Sequence, residues 1–258
     1  MVLRTICGLF LAFLLTTAPV QARTVKLCLA EREFLPVSSP RFEAPGQYLA
    51  RQAIERQGDH AIFTALPWRR CVAEVKSKVY DGAIGVVATE TFLDYMRFPH
   101  AGAELDVSKS LGDIVFVAMR AMSGTTGWDG QRFERLTRPV LYNPAAQAIE
   151  DKLTKLGVPK DGATPQEERM MSMLLVGRAD IAIGREDAAL DLLDAAPFRD
   201  NIEILPRPFL ATPTYLAFRK SWVDENHAYA EAVWTEIGKI RETPSWEDQA
   251  RRLLKEHQ

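Results

Sequence analysis

The sequence has few cysteines and histidines, and it lacks the short motifs that mark common enzyme classes. Its 258 residues include three cysteines and four histidines. There is no phosphate-binding loop, no G-x-S-x-G, no H-E-x-x-H and no C-x-x-C. The four histidines are scattered and have no spacing typical of a metal site. We therefore expect a protein that is not an enzyme, with no catalytic residues, no metal and no cofactor.

An excess of charge of either sign is also missing. Lysine and arginine total 32, aspartate and glutamate total 34, and the net charge is −2. Proteins that bind nucleic acid or anionic membranes usually carry a basic surface, so this balance predicts neither partner. Hydrophobic residues make up 47% of the chain, which is enough for the cores of one large domain or two small lobes.

Long apolar runs are absent except near the N-terminus. Arg4 precedes the apolar run Ile6–Leu15, and the small-residue site Val20-Gln21-Ala22 follows it. This order is typical of a secretory signal peptide. The alternative is a membrane anchor, but the run is about ten residues long and a spanning helix needs about 20. We predict a signal peptide at residues 1–22, export to the periplasm and no direct membrane insertion.

Two cysteines, Cys28 and Cys71, follow the predicted cleavage site after Ala22. They form either a disulfide or two buried free thiols. An even number of cysteines in an oxidising compartment favours the disulfide. A bridge that closes a loop of about 44 residues reduces the entropy of the unfolded chain and would stabilise the fold by roughly 4 kcal/mol.

The chain after residue 22 alternates short apolar runs with amphipathic segments. This order predicts an α/β fold with parallel strands covered by helices. The segments Lys78–Gly85 and Gly177–Gly184 resemble one another, either because two similar lobes are present or by chance. The predicted strands are residues 24–30, 60–66, 81–87, 113–119, 139–142, 180–184, 202–205 and 214–218, and the predicted helices are 48–57, 68–78, 143–156, 165–176, 186–195, 227–241 and 245–256.

Two stretches and the C-terminal order of elements carry a family resemblance. The stretches are Leu66–Ile84, which begins LPWRRC and ends DGAI, and Leu174–Ile183, which reads LLVGRADIAI. With a late return strand before a helical tail, they resemble the bacterial extracellular solute-binding proteins of the polar amino-acid type (family 3). The resemblance covers nearly the whole chain after residue 22.

The resemblance implies a two-lobed, type II periplasmic-binding-protein-like fold in which lobe 2 is inserted into a discontinuous lobe 1. Carried over, lobe 1 is residues 23–118 and 206–258, and lobe 2 is residues 119–205. It also implies a small-molecule ligand held by hinge closure in the cleft between the lobes, an inner-membrane ABC permease as partner, and a monomer.

The same resemblance places the ligand at the carboxyl ends of the strands. Each residue there also has a purely structural alternative. For example, Trp68 could cap a core, Arg69 could belong to a solvated helix start, and Glu31 could be an ordinary loop carboxylate. The candidate ligand contacts are Glu31, Trp68, Arg69, Thr89, Tyr142, Asn143, Arg185 and Glu186.

Two departures from the family pattern concern the ligand. Amino-acid binders usually have T-x-x-R after the third strand, and this chain has Thr89-Glu90-Thr91-Phe92. The family usually has an aspartate after the lobe 2 strand that binds the ammonium group of the ligand, and the matching residue here is Arg185. We therefore expect a ligand that is not an ordinary α-amino acid, with an anionic or strongly accepting end and a planar or apolar body. Arg97 or Arg69 could restore carboxylate binding.

Three functions follow from these features. The first is a solute-binding component of an ABC transporter. The second is a transporter-independent periplasmic sensor or binding protein. The absence of the side chains that usually bind an amino acid favours this function. The third is a dehydratase-like enzyme on the same fold, with Glu31, Glu90 or Glu186 as general acid or base.

Overall fold

The computed structural model describes residues 22–162 and 164–255. The predicted signal peptide, apart from Ala22, therefore lies outside the described residues. No helix in the described ranges combines the length and the apolar character of a membrane span.

The described chain contains thirteen strands and eight α-helices, with a short 3-10 helix at Val107–Lys109. In chain order they are β1 Thr24–Ala30, α1 Pro45–Glu55, β2 His60–Leu66, α2 Trp68–Lys76, β3 Gly82–Val86, α3 Glu90–Leu93, β4 Met96–Arg97, β5 His100–Ala101, β6 Glu104–Leu105, β7 Gly112–Ala121, β8 Gly127–Trp128, β9 Phe133–Glu134, β10 Val140–Tyr142, α4 Gln147–Lys155, β11 Lys160–Asp161, α5 Glu167–Leu175, β12 Ala182–Arg185, α6 Glu186–Leu193, β13 Ile202–Arg219, α7 Lys220–Arg241 and α8 Trp246–Lys255.

One continuous sheet runs through both lobes, in the order β11-β10-β12-β7-β13-β3-β1-β2, with β4 also paired to β13. Strands β1, β2 and β3 are mutually parallel, and so are β10, β11 and β12. Strands β7 and β13 join these two parallel units as antiparallel crossovers. The predicted two-lobed, type II α/β fold is confirmed.

Strand β13 differs from the prediction, which had two short strands separated by a break at Pro206 and Pro208. It is a single strand of 18 residues. Proline has no N–H to donate, so an interior proline is tolerated only at bulges or edges. The pairing of β13 with β7 shifts register between Ile204 and Pro208 and again between Pro208 and Leu210. These irregularities let the strand continue through both prolines.

The buried residues fall into clusters on the two faces of each half of the sheet. On β1, Val25, Leu27 and Leu29 join one cluster and Cys28 joins another, as alternation along a strand requires. Residues 114–209 supply separate clusters, centred on Phe209 and on a group of methionines. Strand β13 changes partner from β7 at Thr214 to β3 in the next residue. We propose that the lobes meet there, at Thr214 and its partner Gly112 rather than at the predicted boundaries 206 and 118.

The disulfide between Cys28 and Cys71 is confirmed. The Sγ atoms are 2.04 Å apart and the Cα atoms 5.6 Å apart. Both residues are fully buried, so the bridge fastens α2 to β1 inside lobe 1.

Two helices of lobe 2 begin later than predicted. Helix α4 begins at Gln147 rather than Asn143, because residues 143–146 form a turn in which the Asn143 side chain accepts the Ala145 N–H. Helix α5 begins at Glu167 rather than at the predicted residue 165, and its N-cap is Gln166. The Thr164 hydroxyl accepts the Gln166 N–H in the preceding loop. These turns shape one wall of the cleft.

Candidate ligand-binding cleft

A cavity of about 620 Å³ lies between the two lobes. Lobe 1 contributes residues 30–34, 67–69, 85, 87 and 92 to its walls. Lobe 2 contributes residues 143–149, 165, 167, 183–185 and 188, and the crossover β7 contributes residues 114 and 116. A volume of roughly 300–1,000 Å³ is usual for small-molecule sites, so the cavity can enclose a compact organic ligand.

Strand direction explains why these segments meet. Parallel strands end at the same edge of a sheet, and open α/β sheets bind ligands at that edge. In lobe 1, β1 ends at Ala30, β2 at Leu66 and β3 at Val86, so the loops that follow share one edge. In lobe 2, β10 and β12 end at Tyr142 and Arg185. The two edges face one another across the cavity.

Aromatic side chains form much of the wall. Phe34, Trp68, Phe92 and Phe116 all line the cavity. The Trp68 and Phe92 rings meet edge to face with centroids 6.4 Å apart. Phe92 meets Tyr95 in the same way at 6.0 Å. These contacts hold the Trp68 ring in place, although Trp68 itself is only half-buried.

Arg185 links the two lobes. Its Nε and Nη2 donate to the Asp187 carboxylate at 2.9 and 2.5 Å, and its Nη1 donates to the backbone carbonyl of Glu33 at 2.5 Å. Its guanidinium carbon lies 5.3 Å from the centre of the Phe34 ring. Each of the three guanidinium nitrogens therefore has an acceptor within the protein. The expected role of Arg185 as a free cation for an anionic ligand does not fit this arrangement.

Arg69 makes a second contact between the lobes. Its Nη2 donates to the Pro144 carbonyl at 2.7 Å, from the start of α2 to the turn before α4. Glu90 and Lys155 also approach across the cleft at 3.5 Å, but their side chains are 88% and 73% exposed. Because water screens a pair as exposed as this one, the pair contributes little to holding the lobes together. The contacts of Arg69 and Arg185 are therefore the main polar links between the two lobes in the described residues.

The acidic residues of the cleft differ in their partners. Glu33 pairs with Arg41 at 2.6 Å. The side chains of Glu31 and Glu167 line the cavity and make no hydrogen bond or ion pair within the part of the chain that the structure describes. Glu31 is exposed, whereas Glu167 is half-buried at the start of α5. The Glu167 side chain packs beside Gly184, where an added Cβ would lie 3.2 Å from its Cγ.

Comparisons with known proteins agree on the fold. No protein-family profile matches the chain, and no curated protein does. An amino acid ABC transporter substrate-binding protein, AbpA from Streptococcus pneumoniae, bound to L-arginine, matches with a TM-score of 0.64 at 16% identity, covering 90% of this chain and 94% of that one. The GluR0 ligand-binding core from Nostoc punctiforme, in complex with L-glutamate, matches with a TM-score of 0.64 at 10% identity, covering 89% and 98%.

A histidine kinase sensor domain with similarity to periplasmic binding proteins also matches, with a TM-score of 0.64 at 16% identity over 90% of this chain and 96% of the sensor domain. The chain has the periplasmic-binding-protein fold. At these identities the likeness establishes the fold, and the residues of the cleft carry the argument about its ligand.

Five of the eight predicted contacts line this periplasmic-binding-protein cleft: Glu31, Trp68, Arg69, Asn143 and Arg185. The other three do not line it. The Thr89 hydroxyl accepts the Phe92 N–H and caps α3. Tyr142 is 6% exposed in the lobe 2 core, where burial, with Glu150 adding to it, raises its pKa. Glu186 begins α6 outside the cavity wall.

Sequence reasoning did not identify Phe34, Phe116 and Glu167 as cleft residues. Phe34 follows the end of β1 by four residues, farther along the loop than the predicted contact Glu31. Phe116 lies inside β7, away from the strand ends at which the family resemblance places the ligand. Glu167 begins α5, and no pattern in its helix distinguishes it from Glu168. The i, i+2 spacing of Ile114 and Phe116 was the one available signal, because it places both on one face of β7.

Proposed function

We propose that this protein captures a small molecule between its lobes and does no chemistry on it. The observation that carries the proposal is the cavity of about 620 Å³, whose walls come from both lobes and from the carboxyl edges of both parallel units. Among the described residues that line it there is no histidine, cysteine, serine, threonine or lysine. The wall therefore offers no serine, cysteine, threonine or lysine nucleophile and no histidine base, which supports binding over the common forms of covalent catalysis.

We place this activity in the bacterial periplasm, as part of an ABC transporter of family 3 type. The predicted signal peptide supports export, and a fully buried disulfide suits an oxidising compartment. Mass spectrometry of the exported protein should then find Arg23 at the N-terminus. The similarity to an ABC transporter substrate-binding protein supports an inner-membrane permease as the partner. We expect the protein to act as a monomer.

A transporter-independent sensor is the second candidate function. A histidine kinase sensor domain shares the fold over 90% of this chain. The position where amino-acid binders of this family usually have an arginine holds Phe92, which is 7% exposed in the cavity wall. A change at this position suits a protein whose cleft has been adapted to a different signal.

The similar structures bound to L-arginine and L-glutamate favour an amino acid as ligand. The residues of this cleft favour a different compound. Phe92 offers no donor to a carboxylate, and Arg185 is held by Asp187 and Glu33. We therefore retain the proposal that ordinary α-amino acids are poor ligands.

A ligand screen with two tryptophan variants tests capture in the cleft. Amino acids, amines, small carboxylates and sugars would be screened by thermal shift, and each hit measured by calorimetry. Trp68→Ala should weaken binding of a hit at least about tenfold, because an aromatic wall is lost. Trp246→Ala is the matched control, since Trp246 is also half-buried in lobe 1 but lies outside the cavity. Equal effects of the two variants, or no hit at all, would contradict capture in the cleft.

A further inference from the structure

The half-buried charge that remains available in the cleft is negative. Arg185 is bound by Asp187 and by the Glu33 carbonyl, and Arg69 donates to the Pro144 carbonyl. Arg32 lines the cavity too, but it is exposed beside Glu31 and is screened by water. The half-buried carboxylate without a protein partner among the described residues is that of Glu167.

The aromatic wall has the chemistry that stabilises a cation. A cation within about 6 Å of an aromatic ring centre is attracted by the electrons of the ring face. The Arg185 guanidinium already occupies such a position, 5.3 Å from the centre of the Phe34 ring. Trp68, Phe92 and Phe116 add further rings to the same cavity. The wall therefore favours a positively charged group of a ligand over a negatively charged one.

From these observations we propose that the cleft binds a small organic cation: a protonated amine or a guanidinium on an apolar body, without a carboxylate. Glu167 in lobe 2 is the counter-ion. A ligand carboxylate would enter an apolar cavity beside Glu167, where the half-buried Arg185 is already held by Asp187 and Glu33, and an unpaired buried charge is costly. This inference rests on the proposed function and names the ligand class of the same site.

Matched pairs of compounds test the ligand class directly. Each pair consists of an amine and the amino acid that differs from it by one carboxylate: tyramine and tyrosine, phenethylamine and phenylalanine, agmatine and arginine. Calorimetry at pH 7 and about 0.15 M salt, where screening is moderate, measures both members. At least one amine should bind about tenfold or more tightly than its amino acid. Equal or tighter binding of the amino acid in every pair overturns the inference, as does the absence of binding by all amines.

Two neighbouring glutamates provide the variant test. Glu167→Gln keeps the size of the side chain and removes its charge, so it should weaken amine binding about tenfold to a hundredfold. Glu168→Gln is the control, because Glu168 is exposed on the same helix and does not line the cavity. It should change amine affinity by less than about twofold, as surface charges act weakly. Equal effects of the two substitutions overturn the role of Glu167.

The outcomes separate this inference from the proposed function. A neutral or anionic compound whose binding depends on Trp68 would overturn the organic-cation class and leave capture in the cleft intact. If no compound depends on Trp68, capture itself fails. Near-identical circular dichroism spectra and melting temperatures of the glutamine variants would show that each variant is folded.

Discussion

Replacing Arg185 with alanine is expected to shift the protein towards an open arrangement of its lobes. Arg185 belongs to lobe 2, and its lobe 1 partners are the Glu33 carbonyl and the Phe34 ring. The ion pair with Asp187 lies within lobe 2, so it is present in both arrangements and does not affect the balance between them. The effect therefore comes from one charge-assisted hydrogen bond and one cation–π contact.

The size of the shift follows from these two contacts. A hydrogen bond from a charged group contributes about 1.5–3 kcal/mol, and a partly exposed cation–π contact adds about 0.5–1 kcal/mol. The sum of roughly 2–4 kcal/mol corresponds to a factor of about 30 to 1,000 in the ratio of closed to open molecules. A factor of this size makes the ligand-free variant mainly open if the closed-to-open ratio of the native protein is below about 30.

Small-angle scattering of the ligand-free proteins measures this shift as an increase in the radius of gyration. Arg120→Ala is the control, because Arg120 also pairs with a carboxylate and donates to a backbone carbonyl. Its side chain is 22% exposed and that of Arg185 is 20% exposed, but both partners of Arg120 lie in lobe 2. An unchanged radius for Arg185→Ala, or an equal increase for Arg120→Ala, would refute the reasoning.

Two further predictions concern stability. Replacing Cys28 and Cys71 together by alanine should lower the free energy of unfolding in urea by about 4 kcal/mol, because the bridge closes a loop with a sequence separation of 43 residues; a loss below about 1 kcal/mol would contradict this. Asp180 is partly buried, which opposes its ionisation, but hydrogen bonds from Thr137 and Arg138 outweigh burial and hold its pKa below the usual value. Its contribution is present above the unfolded-state pKa of about 3.9 and is lost as the pH falls through the lower folded-state pKa. Asp180→Asn should therefore lose less stability than the native protein in urea titrations as the pH falls below about 4, and parallel acid profiles would disprove this role.

The contacts of Arg185 change the charge that we expect of the ligand. From its position after a buried strand, Arg185 was expected to meet an anionic ligand. Its contacts with Asp187 and Glu33 make it a link between the lobes, so the expected ligand charge changes sign. We therefore propose that the closure of the cleft and the choice of ligand depend on different residues.

The sequence by itself determined many of the local elements and the α/β class of the fold. Strands β1 and β2 lie at the predicted residues 24–30 and 60–66, because short apolar runs bounded by polar or turn residues favour strands. The disulfide could be predicted because only Cys28 and Cys71 follow the predicted cleavage site. The alternation of strands and helices led to the two parallel units, since such alternation places helices on both sides of a sheet.

Only the tertiary structure decided which side chains meet in the cleft. The contact between Arg185 and Glu33 joins residues 152 positions apart, and no periodicity in the sequence encodes such a pair. The path of β13 through Pro206 and Pro208 depends on register shifts against β7. Glu167 and Glu168 are chemically identical neighbours, yet only Glu167 lines the cavity. Local sequence patterns reflect which backbone conformation a segment prefers. The partners of a side chain are set instead by how distant segments pack, and the cleft is formed by such distant segments.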